Sequence, residues 1–437
     1  MINKVFFSFI LTYFFLSGIS VCGINIPSII SNGLNFFIAG MGIVWLLIKN
    51  KINIDKYYKI IAFGIFVPIF ISLISGFINI FFQDYRYTEV FFIMTIGRKI
   101  NIILFLIIFT FLNSYINTLE KEKLKKLLTF YIRGIIILFV FFGIWQFFNK
   151  YFNIPMINLN TRSHIHSVSN VPAFIKIRIT GLANEPSYAA PYLIDSIIIC
   201  WILKNKKCCI LSMVCLFLTY SGGGYINILI IFLVFIFYPN VISKKNRKNI
   251  LIIMIFLGGS ILLFRFEKIL NFFSPVLNRF NSKNNLLDIS YNIRTYMIVM
   301  PFIWILQEKN FLSALFGMGP GSYKYLSLTK KFIDNRSVHT TSNNIFSDFV
   351  YETGYVGLFS LVFMFFGLLK MLNKNLKKRK DIYNKSNILL LIHILVSSLY
   401  RADFMSSRFW IILIIIKINI LLSKQENKYL KYNKSIN

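Results

Sequence analysis

About a dozen apolar runs, each about 18 residues or longer, divide this chain almost from end to end. That is the length a helix needs to cross the hydrocarbon core of a bilayer. Lipid cannot satisfy open backbone N–H and C=O groups, so the runs are expected to be helices. The fold class that follows is all-α: a polytopic membrane protein in which residues 1–437 form a single integral membrane domain. Composition agrees, since a chain that is 56% hydrophobic and only 15% charged is not a soluble globule.

The spacing predicts spans at residues 5–22, 27–48, 60–82, a fourth entered through Arg98 and Lys99 and ending near Tyr115, then 128–149 and 186–203. Spans 7 and 8 meet at Ser221-Gly-Gly-Gly224, and spans 9 to 12 fall at 249–264, 345–369, 387–400 and 408–423. The formal charge of +32 sits in short hops between these runs, such as Lys121–Lys126 and Lys370–Lys385. That is an orientation signal rather than a nucleic-acid patch. Laid alternately, the lysine-rich hops share one side with both termini, giving twelve spans with cytoplasmic ends. Residues 150–185 become one periplasmic loop, and 265–343 a long one between spans 9 and 10. Residues 293–307 are short for a crossing, contain Pro301 and would place Lys370–Lys385 outside, so they read as an interfacial helix of that loop. No internal repeat is evident, which weighs against an inverted-repeat transporter. The five cysteines lie in or beside apolar segments without zinc spacing, and no His/Asp/Glu cluster has metal-ligand spacing.

The basic residues are divided by type. Inside loops use lysine almost exclusively, whereas Arg86, Arg98, Arg162, Arg178, Arg265, Arg279, Arg294, Arg336, Arg401 and Arg408 lie on or near the external face of this topology. Arginine offers a planar fork for carboxylate or phosphate that lysine lacks. Anchoring of helix ends to lipid headgroups is the reading for at least half of them, and a lipid-linked diphosphate is the expected ligand of the remainder.

Several constellations carry ionisable groups to that face. Arg178-Ile-Thr-Gly-Leu-Ala-Asn-Glu185-Pro-Ser187-Tyr-Ala-Ala190 reads as a loop-to-helix junction, with Pro186 in the first turn and Glu185 beside the positive end of the macrodipole. Glu185 is there a base, an orienting carboxylate, or simply a helix-start acid paired to Arg178. His164, His166 and His339 lie in external loops, and Asn344, Asp348 and Glu352 form a stripe at i, i+4, i+8 below His339. His339 is either a proton acceptor for a hydroxyl or a solvated loop histidine. Gly317-Met-Gly319-Pro-Gly321-Ser-Tyr323 is a turn whose amides can approach a phosphate, without the lysine and following helix of a P-loop. Asp195 and His393 sit at membrane depth and read first as helix-packing polar groups.

Together these stretches resemble the O-antigen polymerase and O-antigen ligase superfamily of bacterial inner-membrane glycosyltransferases. Four match in order: Arg178 to Ala189, Leu218-Thr-Tyr-Ser221-Gly-Gly, Arg294 with Leu315-Phe-Gly317-x-Gly319-x-Gly321-Ser322, and His339 to Gly357. The match covers roughly residues 80–370. It departs where many members carry arginine after the serine of the turn, because this chain has Gly222. The resemblance implies cofactor-free, metal-independent transfer of a glycan from undecaprenyl diphosphate to a hydroxyl on the periplasmic face, in lipopolysaccharide biosynthesis. By that resemblance Arg178 and Arg294 are expected on the diphosphate and His339 as base or hydroxyl-orienting group. Glu185 either orients Arg178 or is itself the base. Arg98, Arg86, Ser187, Tyr323, Asn343 and Arg408 are the further substrate-binding candidates. The Glu-Pro-Ser junction is more similar to polymerases than to ligases, whose acceptor is lipid A–core. The expected partners are an undecaprenyl-diphosphate-linked oligosaccharide, the membrane and a chain-length regulator, with no nucleic acid. A flippase ranks well below, since charges crowd one face instead of lining the spans.

Overall fold

The computed structural model describes residues 2–22, 27–50, 52–157, 177–242, 247–249, 287–308, 310–329, 339, 341–401 and 403–436. The expected span 9 falls almost wholly outside them, as do Arg162, His164, His166, Arg265, Arg279 and Arg336, and so does the side chain of Arg294.

Among the described residues the protein is helical without strands, apart from one isolated bridge between Cys22 and Ala183. The principal helices are α1 (Ile2–Leu16), α2 (Pro27–Lys49), α3 (Lys56–Asn79), α4 (Ile96–Ile116), α5 (Lys121–Phe152) and α6 (Pro186–Ile202). They continue as α7 (Lys206–Leu218), α8 (Gly222–Phe237), α9 (Leu287–Trp304), α10 (Ile345–Lys378), α11 (Ile382–Ser398) and α12 (Ser407–Ile436). Among the described residues six helical stretches are long and apolar enough to cross a membrane: Lys4–Val21, Ile29–Lys49, Lys56–Asn79, Ile96–Ile116, Lys121–Phe152 and Ile345–Lys378. Shorter apolar helices occupy Pro186–Ile202, Gly222–Phe237 and Tyr296–Gln307. Outward-facing Leu47, Phe63, Ile74 and Phe363 are strongly exposed, as side chains bathed in lipid would be. The molecule is an all-α polytopic membrane protein.

α12 is the axis of the bundle. From Phe409 to Ile416 every side chain is buried, and α4, α5 and α11 pack around it. A helix that is apolar on all sides has no solvent face to offer, so it sits inside. α6 joins the same core through α7, α11 and α5. A second apolar cluster, containing Tyr87, Trp304, Tyr323, Tyr325 and Tyr351, lies where α9 and residues 323–329 meet the start of α10.

α10 is not the straight span its hydropathy suggests. Gly354 adopts φ 72°, ψ −177°, so the helix breaks there. Left-handed φ of this kind belongs to glycine. The carbonyls freed by the break are met by the glycine-rich turn: Met318 N donates to Tyr351 O and Gly319 N to Glu352 O, both at 3.0 Å. Contact is closer than any side chain allows, for a Cβ on Gly317 would lie 2.2 Å from Glu352 O and one on Gly354 2.2 Å from Leu315 O. On its other side Gly317 O accepts from Ser75 Oγ at 2.7 Å and Asn79 Nδ2 at 3.3 Å of α3. The turn is therefore a wedge between α3 and α10. The amides of Met318 and Gly319, which the sequence offered to a phosphate, are spent on the broken helix.

Candidate functional site

The chain reaches α6 through buried, non-helical backbone. Such backbone needs a partner for every polar group, and neighbouring helix ends supply them. Ile179 N donates to Leu218 O, Leu182 N to Leu138 O within a wide π-type turn of α5, and Asn184 N to Val21 O. Gln146 of α5 clamps the middle: its Oε1 accepts from the Thr180 and Gly181 amides at 3.0 Å, and its Nε2 donates to Gly181 O at 2.8 Å. Gly181, at φ 59°, lies so close to Phe139 that a Cβ would come within 2.5 Å of its Cα.

Arg178 serves this architecture. Its Nε donates to Thr219 O at 3.2 Å and its Nη2 to Tyr220 O at 3.1 Å, placing a cation on the orphan carbonyls at the C-terminal end of α7. Glu185 begins α6 in extended conformation and makes no side-chain cap bond, with Pro186 following in the first turn. Among the described residues the ion-pair partner of Glu185 is Arg401, at 3.9 Å, rather than Arg178. Ser187 Oγ donates to Glu185 Oε2 at 3.3 Å and accepts from Arg401 Nη2. The Arg401 guanidinium lies over the Tyr188 ring.

Arg401 belongs to the connection between α11 and α12, and this connection touches three groups of charged side chains. The first is the Glu185–Ser187 junction. The second surrounds Asp195, which accepts from Arg408 Nε at 2.6 Å, Arg408 Nη2 at 3.1 Å and Tyr131 Oη at 2.9 Å. His393 Nδ1 stands 3.0 Å from Asn227 Oδ1, while its Nε2 is 2.6 Å from Arg408 Nη2 and 3.0 Å from Asp195 Oδ1. Nε2 also stands 3.1 Å from Pro191 O, so the ring is held by α6, α8 and α12 together. Arg408 Nη1 donates to Ser397 Oγ at 3.2 Å. Asp195, His393 and Tyr131 are fully buried and Arg408 nearly so. A charged group at membrane depth needs a partner, and the network supplies it. Arg408 thus lies inside the bundle, neutralised by Asp195, rather than at the outer surface.

The third group centres on Arg98 at the start of α4. Its Nη2 is 2.6 Å from Glu352 and 3.7 Å from Asp348, and its guanidinium lies over Phe404. Asp348 also accepts from Ser342 N at 2.7 Å, from Ser342 Oγ at 2.6 Å and from Thr341 Oγ1. Asn344 caps α10 through Phe346 N and Ser347 N, and its Nδ2 donates to Leu399 O at 2.9 Å, tying the cap to the α11–α12 connection. The i, i+4, i+8 stripe therefore exists, with one function per member: cap, loop anchor, arginine partner.

The remaining expected site residues are scattered. Arg86 is exposed and lies over Tyr85. Tyr323 is buried, donates to Met297 O at 3.3 Å, and has its hydroxyl pKa pushed up by burial. Asn343 is an exposed turn residue at φ 60°. His339 is half-buried, with its amide donating to Ser327 Oγ at 2.8 Å. Sequence reasoning passed over Arg401 except as one arginine among many, because nothing in its spacing says that it meets Glu185, 216 residues earlier in the chain.

The fold and these buried charge clusters define a multi-pass membrane protein, and comparison with known families finds a match over part of it. Residues 208–362 match a family model described as O-antigen ligase, whose members are glycosyltransferase-like enzymes. The matched stretch is less than half of the chain. It runs from α7 through the glycine wedge to the kinked α10, leaving the Glu185 junction and Arg401 outside. No curated protein matches the chain.

Proposed function

We propose that the chain is a polysaccharide polymerase, transferring a growing glycan from undecaprenyl diphosphate to the hydroxyl of another lipid-linked repeat unit. The observation that carries glycan transfer is the family match over residues 208–362; the Glu-Pro-Ser junction at Glu185–Ser187 supports the choice of polymerase. In the step, the acceptor oxygen bonds to the anomeric carbon while the bond from that carbon to the diphosphate oxygen breaks. The electron pair leaves on the diphosphate and the hydroxyl proton passes to a base. Glu185 is partly exposed and oriented by Ser187, which suits a base within reach of an entering hydroxyl. Positive groups must meet the charge that develops on the leaving diphosphate. Arg294 is assigned to that task and His339 to orienting the acceptor, while Arg178 holds the junction in place. The proposed setting is the bacterial inner membrane, with twelve spans, both termini cytoplasmic and the site open to the periplasm.

The Glu-Pro-Ser junction favours the polymerase, whereas the description of the matching family favours the ligase as second reading. Deleting the gene and running lipopolysaccharide on a gel separates them. Core bearing a single repeat unit is the polymerase result. Bare core with accumulated lipid-linked polymer is the ligase result, and an unchanged ladder refutes both.

A further inference from the structure

His339 sits in a connection that is fixed on both sides. Its own backbone N–H donates to Ser327 Oγ, 2.8 Å away, on the short helix Tyr323–Thr329. From Thr341 onward the chain closes onto Asp348 in the first turn of α10. Asp348 Oδ1 accepts from Ser342 N at 2.7 Å and from Ser342 Oγ at 2.6 Å, and its Oδ2 accepts from Thr341 Oγ1. The same two hydroxyls each take one further amide, Ser342 Oγ that of Asn344 and Thr341 Oγ1 that of Asn343, both at 3.1 Å. The N–H groups of residues 342–344 thus end, directly or through one hydroxyl, on a single carboxylate. Backbone polar groups need partners away from water, and here one side chain organises all three.

Asp348 is itself firmly held. It is fully buried, its N–H donates to Asn344 O at 3.0 Å, and Arg98 Nη2 of α4 stands 3.7 Å away as the counter-charge a buried carboxylate needs. Glu352, one turn further along α10, lies 2.6 Å from the same Nη2, so the arginine locks α4 to α10 next to the anchor. With no exposed surface, Asp348 cannot meet a substrate. Whatever it does is done through the residues it holds. The backbone from Thr341 back to His339 spans at most about 7 Å, so a shift of the anchor reaches the imidazole.

We propose that Asp348 is a positioning residue for His339, fixing where the imidazole stands against the acceptor hydroxyl. The proposal rests on the reading of His339 as the group that orients the acceptor, and it deepens that reading: the histidine depends on a carboxylate that substrate never touches. Placement matters at such a group, because a misplacement of about 1 Å costs about 100-fold in rate.

The test reads position and turnover separately, both on the full chain. In protein without native cysteines, a nitroxide on His339→Cys reports the mobility of this position by electron paramagnetic resonance. Asp348→Ala should turn an immobilised spectrum into a mobile one, while Asp348→Asn, which keeps an acceptor for Ser342 N, should stay close to the parent. An immobilised label in monodisperse Asp348→Ala protein overturns the proposal. Turnover of undecaprenyl-diphosphate-linked repeat units in liposomes, per folded molecule and with the histidine in place, should fall about 100-fold in Asp348→Ala, and Asp348→Asn should recover most of it. In a His339→Ala background Asp348→Ala should then add no further loss, because the two act as one. Fully additive losses overturn the proposal. Should Asp348→Ala not fold, Thr341→Val with Ser342→Ala loosens the same anchor from the loop side and carries the same expectations. The two failures are distinct. Wild-type turnover in His339→Ala removes the acceptor role of the histidine and the purpose of its anchor with it, whereas an unmoved label removes the anchor and spares the histidine.

Discussion

Breaking the Asp195–Arg408 pair on one side should damage the protein more than removing both members. Asp195 is fully buried and takes two N–H groups of Arg408 and the hydroxyl of Tyr131. Asp195→Leu leaves the guanidinium buried at 1% exposure with no counter-charge, a loss of about 3–5 kcal/mol. Arg408→Met strands the carboxylate for a similar cost. In the double variant neither charge remains, and what is left is the loss of partners by Tyr131, His393 and Ser397, which the single variants already suffer in part. The two changes should therefore be strongly non-additive, with a coupling of about 3 kcal/mol, the upper end for sites that touch. The assay is the temperature at which half the detergent-purified protein leaves its monodisperse peak. Both single variants should fail well below the wild type, and the double variant should be no worse than the milder single. Single variants that melt with the wild type, or a double equal to the sum, would show that the pair does not hold α6 to α12.

Three further outcomes test the fold and the junction. Gly354→Ala forces a side chain into φ 72° and 2.2 Å from Leu315 O. Its strain of about 1–3 kcal/mol should lower the melting temperature, while Gly33→Ala, with open space around it, should not; equal melting of the two would contradict the wedge. Arg178→Lys keeps the charge but not the two-carbonyl grip on Thr219 O and Tyr220 O, so folded yield should fall; an unchanged yield would mean that the grip does not hold the junction. Tyr85→Cys and Asn375→Cys, in a background without native cysteines, should react with a membrane-impermeant maleimide from opposite sides, and labelling from one side would break the twelve-span topology.

Hydropathy carried most of the helices, and the limits of the rest are physical. Span-length apolar runs mark α2, α4 and α5 directly, because period and length are local properties of the sequence. The kink in α10 was not legible. Gly354 lies in an apolar run like any membrane glycine, and its φ is dictated by Gly317 and Leu315 pressing on it from 30 to 40 residues away. The same holds for the charged groups. Asp195 and His393 stood out as ionisable groups at membrane depth, but their partner Arg408 was read as a surface arginine because it opens the last span. Arg178 and Glu185 are close in sequence and were natural partners on that ground. In space Arg178 closes α7 and Arg401 faces Glu185. The turn at Ser221–Gly224 packs against the Tyr400 ring, a contact that its own sequence does not announce. Pairings across more than 200 residues are set by helix packing, which composition and spacing do not encode.

The most direct measurement of the central claim uses purified full-length protein in liposomes, supplied only with undecaprenyl-diphosphate-linked repeat units. The polymerase reading expects a ladder of lipid-linked glycans, with one undecaprenyl diphosphate released for each linkage formed. No ladder and no released carrier from these units alone, with transfer appearing only when lipid A–core is added, would contradict it and make the protein a ligase.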